Sequence, residues 1–164
     1  PVYHCVNLGT SDAAFTCSTQ RHTVKTVMPR EGQFLYEPNA SIMKAGVQDE
    51  VAEKYNLRKL PPSSHLYIAY DEMPLSGRSF VVNGIYDFSK QSLRQLRQCY
   101  SHANITLRNF PSSTDALRRK LKISEGGDTY IFATTLADCS HALLVCTKVT
   151  VPSPEPEPAG QGKR

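Results

Sequence analysis

The sequence predicts a mixed α/β sandwich, on three observations. Apolar residues recur at helical spacing in two stretches, Met43/Val47/Val51/Tyr55 and Leu93/Leu96/Tyr100. Short apolar or alternating runs of strand length lie between the helical stretches. Two longer runs at 129–135 and 141–149, joined by Ala137-Asp138-Cys139, form a closing hairpin. Elements interspersed in this way need a mixed sheet with about three helices laid on it.

In chain order, 3–8 and 14–17 alternate on either side of Gly9-Thr10-Ser11-Asp12 and read as a β-hairpin within 1–28. A two-stranded hairpin is marginal alone and needs more sheet. Met28-Pro29-Arg30-Glu31-Gly32 reads as a linker. Residues 34–36 form a short strand, and Asn39 caps a helix to about 56. Strands at 57–60 and 66–70 flank the Pro61-Pro62-Ser63-Ser64 turn, and another strand covers 79–87. Ser89 caps a second helix to about 101, followed by a strand over 103–110. Ser112 and Asp115 make a capping box for a third helix to 122. Gly126-Gly127 breaks the chain before the closing hairpin. From 149 to 164, prolines at every second position, 152 to 158, remove backbone donors, so this segment reads as a disordered Pro/Glu tail.

Composition narrows the function classes. With 164 residues, 40% hydrophobic and 21% charged, the chain reads as a soluble globular domain with appendages. No apolar run approaches the ~18 residues of a membrane span, and Pro1-Val2-Tyr3-His4 is not a signal peptide. The first residue is not Met, so the chain reads as a fragment or a processed product. Cys5, Cys17, Cys99, Cys139 and Cys146 are odd in number and show no CxxC spacing, which fits reduced, mostly buried thiols in a cytoplasmic protein. The five histidines show no HxxxH or HExxH spacing. No metal site is therefore expected.

No catalytic constellation is visible. A nucleotide- or methyl-donor fold needs a Gly-rich turn from strand to helix, whereas Gly126-Gly127 leads into a strand. Cys99 and His102 could be drawn as a nucleophile and base, but no carboxylate adjoins them.

Charge distribution is more informative than the net charge of +4. Residues 90–122 carry eight Lys or Arg and one acid, Asp115, a local +7, so the rest of the chain sums to −3. Such asymmetry points to a polyanion partner or to two solvated helices. Lys90, Arg94 and Arg97 fall at i, i+4 and i+7 on one stripe. Strand alternation places Thr106, Arg108 and Phe110 on one side, which offers either a phosphate contact beside a stacking surface or, for Phe110, a ring that caps the core at the strand end. The third helix, with Arg118, Arg119, Lys120 and Lys122, begins just after Pro111.

Several segments resemble a known family. Phe34-Leu35-Tyr36-Glu37-Pro38-Asn39-Ala40-Ser41-Ile42-Met43-Lys44-Ala45-Gly46 and Lys59-Leu60-Pro61-Pro62-Ser63-Ser64-His65-Leu66-Tyr67 resemble the first half of the THUMP-like domain of bacterial, Bacteroidetes-type class I SAM-dependent methyltransferases. Ala103-Asn104-Ile105-Thr106-Leu107-Arg108-Asn109-Phe110-Pro111, Leu117-Arg118-Arg119-Lys120-Leu121-Lys122 and Gly126-Gly127-Asp128-Thr129-Tyr130-Ile131-Phe132-Ala133-Thr134-Thr135-Leu136 are similar to its second half. The resemblance implies a THUMP-like domain over 29–148, preceded at 1–28 by the end of a ferredoxin-like domain.

It also implies a parent SAM-dependent methyltransferase whose catalytic domain, with its SAM site, is not in this chain. This chain alone is then no enzyme, and carries no cofactor. The implied partners are RNA, with tRNA the class that THUMP domains proper generally take, and the upstream methyltransferase domain in cis. The expected RNA-binding residues are Lys90, Arg94, Arg97, Arg108, Asn109, Phe110, Arg118, Arg119 and Lys122. The competing expectation is a protein-interaction or dimerisation module of the same enzyme. Salt dependence separates the two.

Overall fold

A computed structural model describes residues 2–6, 15–18, 24–61, 63–73, 75 and 77–150. The Gly9–Asp12 turn and the tail from 151 lie outside the described residues. Two short strands, β1 (Val2–Cys5) and β2 (Phe15–Ser18), pair antiparallel as their own sheet. The body holds β3 (Phe34–Pro38), α1 (Ala40–Ala45), α2 (Gln48–Lys54), β4 (Arg58–Lys59), β5 (Tyr67–Ala69) and β6 (Gly77–Asp87). It continues with α3 (Lys90–Cys99), β7 (Asn104–Arg108), α4 (Thr114–Leu121), β8 (Thr129–Thr135) and β9 (His141–Val149).

Seven strands form one sheet in the order β4-β5-β3-β6-β9-β8-β7. All neighbours are antiparallel except β7 and β8, which are parallel and joined through α4. The mixed α/β class therefore holds. The expected single helix after Asn39 is two helices. Asn39 Oδ1 accepts from the Ile42 amide at 3.1 Å, as predicted, but Gly46 at φ 70 takes the left-handed region and ends α1 after six residues. Apolar periodicity runs through this break, because Val47 and Val51 are buried on the same side as Ile42. The third helix is capped by Ser113, whose Oγ accepts from Ala116, rather than by Ser112.

The chain just before the expected Met28–Gly32 linker, and Gly32 at the linker's end, are hydrogen-bonded into the fold. Val27 donates to the Lys59 carbonyl at 3.0 Å, and Lys59 donates to that of Lys25 at 2.9 Å, extending the sheet beyond β4. Gly32 then donates to Val82 at 2.8 Å.

Alternation along each strand sorts the core onto two faces. One face carries α3 and α4 over Ile105, Ile131, Ala133, Leu143 and Val145. It also carries α1 and α2 over Tyr36, Tyr67 and Ala69, with Cys5 of β1 tucked among them. There Asp49 accepts from Lys59 Nζ at 2.8 and 2.9 Å and from the buried Tyr67 hydroxyl at 2.7 Å. Burial would raise the Asp49 carboxyl, but its bonds to Lys59 and Tyr67 outweigh it and hold the group below its usual range.

The other face carries Leu35, Ile68, Phe80, Val82, Phe132, Leu144 and Cys146. No helix among the described residues covers it, and the sheet closes over it by curvature. Rings on β6 and β8, two strands apart, meet at centroid distances of 4.9 Å (Phe80–Phe132) and 5.0 Å (Phe80–Tyr130). Burial pushes the Cys146 thiol there up to about 12. The described free thiols divide evenly: Cys5 and Cys146 are buried, Cys99 and Cys139 exposed.

Candidate nucleic-acid interface

Two cationic regions lie on opposite faces of the sheet. On the helix face, Ser89 Oγ caps α3 by accepting from the Ser92 amide at 3.2 Å. The Ser92 and Ser89 hydroxyls both donate to Asp87, lowering its carboxyl below the usual range. With Leu93 and Leu96 buried against the sheet, the 3.6-residue period turns Lys90, Arg94 and Arg97 outward, and all three are exposed. Arg97 Nε donates to the Leu93 carbonyl at 3.2 Å. Lys90 and Arg94 make no ion pair among the described residues.

In α4, Leu117 and Leu121 are buried, and α4 packs beside α3. Arg119 and Lys122 are exposed, the latter at φ 53 as the helix C-cap. Arg118 is mostly buried, with Nη2 3.9 Å from Glu125 and a buried Nη1 that has no partner among the described residues. Five expected residues, Lys90, Arg94, Arg97, Arg119 and Lys122, thus share the α3/α4 layer as solvent-facing cations.

Arg108, Asn109 and Phe110 do not form the expected composite. Strand alternation ends at Arg108, because Asn109 at φ 52 turns the chain. Thr135 Oγ1 fixes that turn by donating to the Asn109 carbonyl at 2.6 Å. Phe110 consequently falls on the helix side. It meets Phe88 and His141 edge-on, both at 5.2 Å. Lys120 Nζ sits 4.4 Å over the Phe88 ring. Phe110 is therefore half-buried packing within an aromatic chain, not a ring paired with Arg108.

Arg108 points to the opposite, concave face. Its Nε donates to Glu37 at 2.9 Å, and its Nη2 binds the same carboxylate oxygen. Arg78 holds the other oxygen through Nε at 2.7 Å and through Nη2. Glu37 is 6% exposed, yet β3 and β7 are four strands apart. In a flat sheet that is about 19 Å, more than two side chains span, so the clamp forms only because the sheet curves. Gly77 lets β6 approach: a Cβ there would lie 2.3 Å from the Glu37 carbonyl oxygen. Sequence reasoning missed Glu37 and Arg78. The one available signal was a charged residue inside the apolar run Leu35-Tyr36-Glu37-Pro38.

Beside the clamp is a cavity of about 230 Å³, lined by Glu37, Pro38, Met43, His65 and Arg108. His65 is held at φ 53, and its Nδ1 is 3.4 Å from Gln48 Nε2. Among the described residues there is no cluster of three His, Cys, Asp or Glu placed to hold a metal, and no helix is long and apolar enough to cross a membrane.

Comparison with known proteins agrees with this architecture. Residues 77–148 match the family described as THUMP domain-like, and residues 34–74 match a ferredoxin-like domain family. These matches divide the chain between 74 and 77, so residues 34–74, which the resemblance placed in the first half of the THUMP-like domain, match the ferredoxin-like family instead. Both matched regions contribute strands to the one seven-stranded sheet. A crystal structure described as a "putative methyltransferase" from Porphyromonas gingivalis W83 is similar over 90% of this chain, at 34% identity and a TM-score of 0.73. The chain spans 38% of that protein's length. A search of curated proteins returned no match.

Proposed function

We propose that this chain is the RNA-binding, substrate-presenting portion of a bacterial class I SAM-dependent methyltransferase, acting on RNA and on tRNA first. One observation carries the reading: within the THUMP domain-like region, Lys90, Arg94, Arg97, Arg119 and Lys122 are exposed on the α3/α4 layer, and the acid of that stretch, Asp115, lies in the first turn of α4. Cations at that density attract phosphates by counterion release, independently of base sequence. The methyltransferase description of the Porphyromonas gingivalis protein supports the parent activity.

The SAM site belongs to the parent enzyme outside these residues. The connections from β3 to α1, β6 to α3 and β7 to α4 contain no glycine. Backbone therefore cannot approach a cofactor at those turns in the way Gly-rich strand-to-helix turns allow. The role of this chain is to bind and orient RNA for a catalytic domain in cis. Titration of fluorescent tRNA over a range of salt concentrations tests it. Binding should fall steeply with salt, and converting the five cations to Gln should abolish it while the protein stays folded. A folded variant that binds like wild type would leave dimerisation or protein contact at this layer as the better reading.

A further inference from the structure

We infer that the cavity beside the Glu37 clamp is a second, separate site that takes the phosphate group of a nucleotide, with Arg108 and His65 as its ligands. Of five N–H groups on a guanidinium, Arg108 commits two to Glu37 and one to the Leu107 carbonyl, so two remain. Its side chain is 39% exposed, so those donors are reachable. Arg78, Glu37 and Arg108 together carry +1, and the buried carboxylate holds the Arg108 fork at a fixed angle. His65 also lines the cavity, from the loop before β5. A phosphate has enough acceptor oxygens to take Arg108 and His65 together.

Glu37 also lines the cavity, with both its carboxylate oxygens engaged by Arg78 and Arg108, and the rest of the lining, Met43 and Pro38, is apolar. At about 30 Å³ per water, a cavity of about 230 Å³ exceeds a bare phosphate and leaves room for the sugar it esterifies. Arg78 does not line the cavity; it is a positioning residue that acts through Glu37. The site lies across the sheet from the α3/α4 layer, so either can exist without the other.

The test is NMR on the 164-residue chain, following the His65 imidazole and Arg108 Nε–H resonances at constant ionic strength. Inorganic phosphate and adenosine 5′-monophosphate should each shift both resonances saturably, and adenosine should not. His65→Asn, which tolerates a positive φ, should weaken phosphate binding about tenfold or more. Arg30→Gln, a remote loss of one charge, should leave it unchanged. The double variant Glu37→Gln/Arg108→Gln keeps the local net charge and should abolish the shift of His65, with circular dichroism reporting its fold. Displacement of phosphate by a short oligoribonucleotide assigns an RNA strand as the source. Displacement by the mononucleotide alone assigns a free nucleotide. Shifts that grow linearly with phosphate, or that persist at Arg108 with unchanged affinity in His65→Asn, would overturn the site. Equal competition by acetate would overturn the phosphate assignment in favour of a carboxylate, including that of a protein chain end. Because these probes report on the cavity and tRNA titration reports on the helix layer, the two readings fail separately.

Discussion

Arginines on the two faces of the sheet do opposite work with the same side chain. Arg78 and Arg108 close on a carboxylate that is nearly removed from water, and hold two distant strands of a curved sheet together. Arg94 and Arg119 stand on helices with no ion pair among the described residues and are exposed. The lesson is that clustering in sequence does not define a binding surface. Arg108 belongs to the basic stretch by position, but curvature assigns it to Glu37, 71 residues away. What distinguishes the groups is whether an acid from another element meets the cation, and only the fold decides that.

The contrast is sharpest in stability. The concave face has no helix over it among the described residues, so its aromatic rings carry the packing. Phe80→Ala should be the most damaging change, costing about 3–5 kcal/mol of folding free energy by chemical denaturation. A cost near that of an exposed site would mean that curvature does not depend on this cluster. Glu37→Gln should follow at about 2–3 kcal/mol, since it strands two guanidiniums around a neutral amide, although their partial exposure lets water recover part of the loss. Were Glu37→Gln neutral, the clamp would be an accessory of the curvature and not its fastener.

Much of the fold was legible because it is encoded locally. The closing hairpin, Thr129–Thr135 and His141–Val149, follows from alternation and turn residues alone. Ser89 and Asn39 are read correctly as caps because capping is decided within three residues. Three features were not legible. Gly46 divides a helix through which the apolar period continues, so periodicity cannot detect the break. Asn109 sends Phe110 to the helix side by a single positive φ, and alternation has no means of registering that. Glu37 becomes a clamp only when β3 and β7 approach through curvature of the whole sheet. For the site, exposed residues at helical spacing were readable from one helix at a time, whereas the cavity draws its walls from β3, α1, β7 and the loop at His65.

Phe110→Ala separates packing from base stacking. Removing a half-buried ring from beside Phe88 and His141 should cost about 1–2 kcal/mol of stability, with RNA affinity little changed. A loss of RNA affinity at unaltered thermal stability would return Phe110 to the binding surface.

Asp49 gives a smaller, pH-dependent effect on the helix-covered side. Its folded carboxyl titrates below the unfolded value, about 3.9. The stability it contributes is therefore complete above that value and is lost as pH falls through the lower folded one. Asp49→Asn should flatten the acid limb of the stability curve. The side chain is 33% exposed, so solvent screening keeps the effect below that of Glu37→Gln. An unchanged acid limb would mean that another carboxylate governs it.

The smallest effect on folding should come from Arg94→Gln with Arg97→Gln, and it bears most directly on function. Both side chains are exposed, and the hydrogen bond that disappears is the one from Arg97 to its own helix, at Leu93. Stability should stay within about 0.5 kcal/mol of wild type. RNA binding should respond differently, because each bound phosphate contributes through released counterions. Removing one phosphate-binding cation should reduce the slope of log affinity against log salt by about 0.7–0.9, so the pair should reduce it by roughly 1.4–1.8. The weakening should be similar for RNAs of different sequence, since phosphates carry no sequence information. Arg78→Gln is the paired control: it should lower stability and leave the salt slope for tRNA unchanged, because its charge is engaged with Glu37 across the sheet. If instead both variants reduced the slope equally, the two faces would not be separate surfaces, and RNA would have to touch the clamp as well as the helices.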